Sequence, residues 1–309
     1  MKSEKLSARQ LRVAVLVGGL SAGAAAAGRA DWRWLLLTAA VGAGAGWLLL
    51  RRVGGRPLRP VVNGLYCAWA VVLMADVLRR TAGRIHEAAG GRGSAAWLLV
   101  LLALPLIWMG WGKAAAFFRA VEIFWLGTAV TAAAILLLGA PRVEWRWTLE
   151  AAGNWEESLA AGALIMATGL FVLPYLYKVE PEAEGGGGWR GPVWLGALGV
   201  LSAALGLVAQ GLLSPAVAAR VEGPFFAAAG LLGDSARLEG LVSALWLLPD
   251  LTLAGVLSRT WGERHGPAAA CAAALGLALT GVALPGEALA LGCAALAVLT
   301  GVVPPRGNK

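Results

Sequence analysis

Apolar residues come in runs of about 16 to 21, the length of a membrane-crossing helix, separated by short polar or basic segments. Ten such runs are read, at roughly 11–28, 32–50, 61–78, 95–111, 119–138, 159–176, 193–213, 239–257, 267–284 and 288–303. Strands of a membrane barrel would be half as long and would alternate in polarity. The pattern therefore predicts an all-α, polytopic membrane protein of about ten transmembrane helices. Trp32, Trp34, Trp47, Trp97, Trp111, Trp194 and Trp261 fall near run ends, where interfacial tryptophans are expected.

The first run, LRVAVLVGGLSAGAAAAG, is interrupted at its middle by Gly18, Gly19, Ser21 and Gly23. Glycine weakens a helix by about 1 kcal/mol relative to alanine. Two readings follow. Small residues let a neighbouring helix approach closely, or they mark a discontinuous helix whose unwound groups hold a charged ligand.

The segments between the runs differ in kind. Residues 142–157 are polar and carry Trp145, Trp147 and Trp155, as an outer interfacial segment would. Residues 178–192 include an acidic stretch and then Gly185 to Gly188, a flexible linker between two groups of helices. PFFAAAGLL, from Pro224 to Leu232, is too short to span and suits a re-entrant or interfacial piece.

Composition supports the membrane reading. Of 309 residues, 59% are hydrophobic and 14% charged, against about 25% charged in soluble domains. The net charge of +8 is no nucleic-acid signal, because the basic residues sit in short segments that set topology. With both termini in the cytoplasm, the inner segments hold Lys2, Lys5, Arg9, Arg12, Arg51, Arg52, Arg56, Arg59, Lys113, Lys178, Arg190, Arg259, Arg264, Arg306 and Lys309. Arg79, Arg80, Arg84 and Arg92 then fall outside, against the trend. Cys67, Cys271 and Cys293 show no metal or redox spacing and read as small core residues. No cleavable signal peptide is expected.

Three carboxylates within the runs are candidates for chemistry, since ionisable groups at membrane depth face a cavity or a partner. Asp250 lies near the middle of run eight, just after Pro249, which removes a helix hydrogen bond and opens the backbone locally. It is placed to bind a ligand ammonium group, to take up a proton, or to pair with an Arg or backbone donor. Asp76 stands one turn before Arg79 and Arg80, as in a structural i,i+3 or i,i+4 pair. Arg119 and Glu122 are spaced for a structural ion pair, or for a gate contact at the inner end of run five. Nothing resembles a metal cluster, a phosphate loop or a catalytic triad, so neither a cofactor nor enzymatic activity is expected.

Several junctions resemble one known family. LSARQLRVAVLVGGLSAGAAAAGRADWRWLLL is similar to the opening of the B subunits of spore germinant receptors. That opening has a Ser-x-x-Gln start, a Gly-interrupted first helix and an acidic-Trp pair before the second. VLMADVLRRTAGRI resembles the family's Leu-Arg exit from helix three. GWGKAAAFFRAVEIF resembles its junction of helices four and five through Gly112, Arg119 and Glu122. ARLEGLVSALWLLPDL resembles its eighth helix through Arg237, Leu238, Glu239 and Trp246.

The resemblance implies a LeuT-like fold of the amino acid–polyamine–organocation transporter superfamily. It has two inverted five-helix repeats and broken helices one and six. Repeat one would cover about 11–138. Repeat two would cover about 159–284, interrupted by the linker, with the last helix at about 288–303, all in one transmembrane domain. The central site would gather Gly18, Gly19, Ser21 and Gly23 with Thr168 and Gly169, helix-end amides holding a ligand carboxylate. Trp246 and Asp250 would line it. The implied role is to sense a germinant, often an amino acid, in the spore inner membrane, together with an A-type subunit and a lipoprotein C-type subunit. The sixth run is compressed for the family: Thr168-Gly169 must serve as its break, and no carboxylate follows before Glu180. Two other roles are open: a proton- or cation-coupled amino acid permease with Asp250 as its coupling carboxylate, and an assembly scaffold without a ligand.

Overall fold

The computed structural model describes residues 6–27, 30–53, 58–91, 94–150, 158–159, 162–165, 171, 191–218, 220–221, 223–233, 237–261 and 266–302. Among them the chain is helical and contains no strand. The helices are α1 (Ala8–Ala26), α2 (Trp32–Val53), α3 (Pro60–Ala88), α4 (Ala95–Trp111), α5 (Ala114–Gly139) and the short α6 (Trp145–Glu150). After the linker come α7 (Gly191–Leu212), α8 (Pro215–Ala218), α9 (Pro224–Gly230), α10 (Arg237–Leu245), α11 (Leu247–Ser258), α12 (Gly266–Leu279) and α13 (Gly286–Val302).

Four stretches are long and apolar enough to cross a bilayer: Pro60–Ala88, Ala114–Arg142, Val193–Leu212 and Leu238–Trp261. Their outward faces carry Ile123, Leu126, Val130, Leu137, Val193 and Val200 in the open. An apolar exterior on long helices, whose backbone bonds close within each helix, suits lipid. The chain is a helical membrane protein.

α1 departs from the expected broken helix: it is continuous from Ala8 to Ala26. Ser7 caps it, its Oγ accepting from Gln10 N at 3.2 Å while Gln10 Oε1 accepts from Ser7 N at 3.1 Å. That reciprocal pair is a capping box and accounts for the Ser-x-x-Gln start without a ligand. The glycines instead admit neighbours. A Cβ on Gly18 would lie 3.4 Å from the backbone of Leu253 in α11. Side chains on Gly19 and Gly23 would collide with Leu198 and Ser202 of α7. α1 is thus wedged between α11 and α7, and close packing explains its small residues.

α3 runs ten residues past the expected end at 78. The stop lies at Gly90 and Gly91, whose φ of 76° and 70° suit glycine; their N–H groups close the helix onto Glu87 O and His86 O, each at 2.8 Å. Arg79, Arg80 and Arg84 therefore lie on α3 and not in an outer loop. Arg80 Nε meets Asp76 Oδ2 at 2.8 Å, with Arg79 at 3.9 Å from the same carboxylate. Asp76 has the structural pair its spacing suggested.

The eighth run, in turn, is interrupted. α10 ends at Leu245, Trp246 forms a turn, and α11 begins at Leu247. Pro249, in the first turn of α11, has no N–H to give Leu245 O, and the next bond, Asp250 N to Trp246 O, is stretched to 3.5 Å.

At the α1–α2 corner, Asp31 caps α2, its Oδ1 accepting from Arg33 N at 2.8 Å. Asp31 N donates to Ser158 Oγ at 3.0 Å, and Gln210 Nε2 donates to Ala30 O at 2.7 Å. The acidic-Trp pair at the start of α2 thereby includes a helix cap, and the backbone of Ala30 and Asp31 ties α7 and Ser158 to this corner.

Packing between helices is regular. α2 lies on α7, α3 on α10 and α11, and α4 on α12. α1 packs on α11 and α7; correspondingly Phe171 of the sixth run stacks edge-on against Tyr66 of α3, ring centroids 5.3 Å apart, and Gly162 meets Thr38 of α2. α5 packs on α7 and α11 as α13 packs on α2 and α3; α3 packs on α12 as α11 packs on α4. Among the described residues these contacts pair off when an element is exchanged for the one five runs away; α1 also packs on α5.

Candidate ligand site around Asp250

The buried stripe of α3 runs through Tyr66, Ala70, Leu73, Val77 and Thr81 at helical spacing, and Arg84 is next in phase. The stripe faces α11, where Pro249, Asp250, Leu253 and Leu257 are also buried. From the other side α1 brings Ser21. Three helices therefore meet at one carboxylate.

Asp250 takes three donors. Its Oδ1 accepts from Ser21 Oγ at 2.6 Å. Its Oδ2 accepts from Thr81 Oγ1 at 2.9 Å and pairs with Arg84 Nη2 at 2.8 Å. The side chains of Arg84 and Asp250 are 11% and 7% exposed, so the pair lies away from solvent. Burying two charges costs several kcal/mol per ion unless geometry and extra hydrogen bonds compensate; here two hydroxyls supply them. α1 and α3 hardly touch elsewhere, so Asp250 is what joins them.

Arg84 is also held over the Phe226 ring, its Cζ 4.5 Å from the centroid, in cation–π range. Its Nη2 reaches Ser243 O at 3.3 Å. Phe226 and Phe225 belong to α9, and both are buried. Phe225 stacks on Trp246 with centroids 4.7 Å apart, and Trp246 has no exposed surface. One turn from Asp250, a small cleft opens between α3, α11 and the sixth run. It is lined by Leu73, Val77, Leu164, Phe171, Leu253 and Leu257, with Arg80 at its edge.

The residues singled out in the sequence divide as follows. Ser21 and Asp250 are bonded to each other, Gly18 packs one turn away, and Trp246 stands at the helix break. Gly19 and Gly23 face α7 and stand apart from the carboxylate. Thr168 and Gly169 lie outside the described residues. The expected Arg119–Glu122 pair is not formed: Arg119 is exposed, and Glu122 pairs with Arg9 at 3.3 Å. Glu122 instead fastens the start of α1 to α5. Thr81 and Arg84 escape a reading of the sequence because Arg79-Arg80 resembles the end of a span; the unbroken buried stripe is the signal that the helix continues.

Arg259, by its sequence a topogenic surface charge, is only 4% exposed, and donates to Met109 O at 2.7 Å and Gly112 O at 2.9 Å. A cation on the last carbonyls of α4 complements the helix dipole. Cys67 is half-buried and donates to Thr260 O at 3.2 Å, whereas Cys271 and Cys293 are core residues.

The fold and site define a helical membrane protein with a buried, charge-balanced polar centre shared by three helices. No family model matches the chain, and no curated protein matches its sequence.

Proposed function

We propose that the chain is the B subunit of a spore germinant receptor, which binds a small solute, an amino acid, at mid-membrane beside Asp250 and signals germination through partner subunits of A type and lipoprotein C type. The observation that carries this reading is the Asp250 centre. An ion pair and two hydroxyls tie α1, α3 and α11 at one buried point, where a ligand with differential affinity shifts a two-state helix arrangement.

The exchange pattern of helix contacts supports a five-plus-five repeat, with α10–α11 opposite α3 and the carboxylate between them. The resemblance at four junctions supports the family. Of the two implied breaks, α1 is whole and that of helix six lies outside the described residues; a turn at Trp246 interrupts run eight. Both termini are assigned to the cytoplasm. With Arg79, Arg80 and Arg84 on α3 beside Asp76 and Asp250, Arg92 is left against that orientation.

Deletion of the gene, in spores with no related receptor able to substitute, abolishes the response to at least one amino acid germinant; a normal response to every germinant overturns the assignment. A neighbouring A-type gene and lipoprotein gene are expected. A coupled amino acid permease is the second reading, favoured by a buried carboxylate balanced by a single arginine among the described residues. Substrate accumulation in proteoliposomes that Asp250→Asn abolishes would select it over the receptor.

A further inference from the structure

Around the Arg84–Asp250 pair, three buried side-chain atoms have no hydrogen-bond partner. Asp250 already takes three donors. Arg84 Nε has no partner. Trp246 Nε1 and Ser243 Oγ also have none, although Trp246 is 0% and Ser243 3% exposed. Buried donors are seldom left without an acceptor, because each then forfeits its hydration with nothing in return.

These three belong to one neighbourhood. Arg84 bonds the Ser243 carbonyl, Ser243 stands one turn before Trp246, and Arg84 and Trp246 both pack on Phe226. A guanidinium, an indole N–H and a hydroxyl left without a partner in one neighbourhood make up a donor set that suits a carboxylate. The turn at Trp246 lies between Ser243 and Asp250.

We propose that the Arg84–Asp250 pair is the closed form of a site for a small zwitterion. The ligand's carboxylate replaces Asp250 on Arg84 and takes the idle Trp246 Nε1 and Ser243 Oγ, and its ammonium takes Asp250, with Ser21 and Thr81 holding that side chain. The internal ion pair stands in for the ligand until the ligand arrives. The proposal rests on Asp250 being the ligand site, and it puts the carboxylate on α3 and α10 rather than on the glycines of α1.

Idle donors give a sharp test: removing them breaks no internal hydrogen bond and costs binding directly. Binding is measured on the full chain in lipid nanodiscs with the L-α-amino acids, their decarboxylated amines, inosine and glucose. Expected is an amino acid whose affinity falls about tenfold in each of Trp246→Phe and Ser243→Ala, the worth of one hydrogen bond to a charged group. The ligand-free melting temperature does not fall in Ser243→Ala, and the matching amine binds weakly and equally to all three proteins. An amino acid bound equally by wild type and both variants overturns the proposal, as does an amine bound as tightly as its amino acid. Binding of inosine or glucose alone overturns the proposal and leaves the solute site standing. Binding of no probe removes both. If Trp246→Phe does not fold, Ser243→Ala and the comparison of amine with amino acid decide.

Discussion

Asp250 draws its three donors from two other helices, so changes there are felt across the molecule. Arg84→Leu strands a buried carboxylate and should cost about 3–5 kcal/mol, the usual penalty for breaking one side of such a pair. Arg84→Leu with Asp250→Asn removes both charges and should recover much of that loss. Unfolding of the four proteins in one detergent measures the coupling; additive losses would contradict it. At the opposite extreme, Arg9 is 80% exposed in its pair with Glu122, and Glu122→Gln should change stability by less than about 1 kcal/mol. Asp250 was legible in the sequence because a carboxylate after a proline in an apolar run is costly unless a partner or a ligand meets it. Its partners were not. Serine and threonine are common in membrane helices, and Arg84 reads as a loop residue until α3 is known to continue to Ala88.

At the scale of the element, glycines take on opposite meanings. Gly110 of α4 lies against backbone: a Cβ there would stand 2.9 Å from Ala268 N and 3.1 Å from Pro267 C. Backbone cannot rotate aside, so Gly110→Ala should destabilise by about 1–3 kcal/mol. Gly44 of α2 has nothing within 4 Å, and Gly44→Ala should stabilise by roughly 0.5–1 kcal/mol through helix propensity. Thermal unfolding of the two variants should move in opposite directions. Pro249→Ala restores an N–H facing Leu245 O and should straighten α10–α11. Slower amide exchange across Trp246–Asp250 would show it, and unchanged exchange would place the cause of the break elsewhere. The apolar runs located most helices well. They could not tell a packing glycine from an unwinding one, because that depends on which neighbour faces it: Gly18 and Ser21 look to α11, Gly19 and Gly23 to α7.

At the scale of the molecule, the helical membrane character was plain from run length and composition. The pairing of α2 with α7, α3 with α11 and α4 with α12 was not, since it joins residues more than a hundred positions apart whose apolar faces look alike. That pairing sets Asp250 of α11 against α1 and α3, where, on the function proposed above, a bound solute changes how the helices sit. Melting of the purified protein against amino acids, sugars and nucleosides, in wild type and Asp250→Asn, tests this most directly. A ligand that binds only the folded state stabilises it by about 2.7 kcal/mol at a hundred times its Kd. A solute that raises the melting temperature of the wild type and leaves Asp250→Asn unmoved is the predicted result. A solute that stabilises both proteins equally, or a panel in which nothing stabilises the wild type, would contradict it.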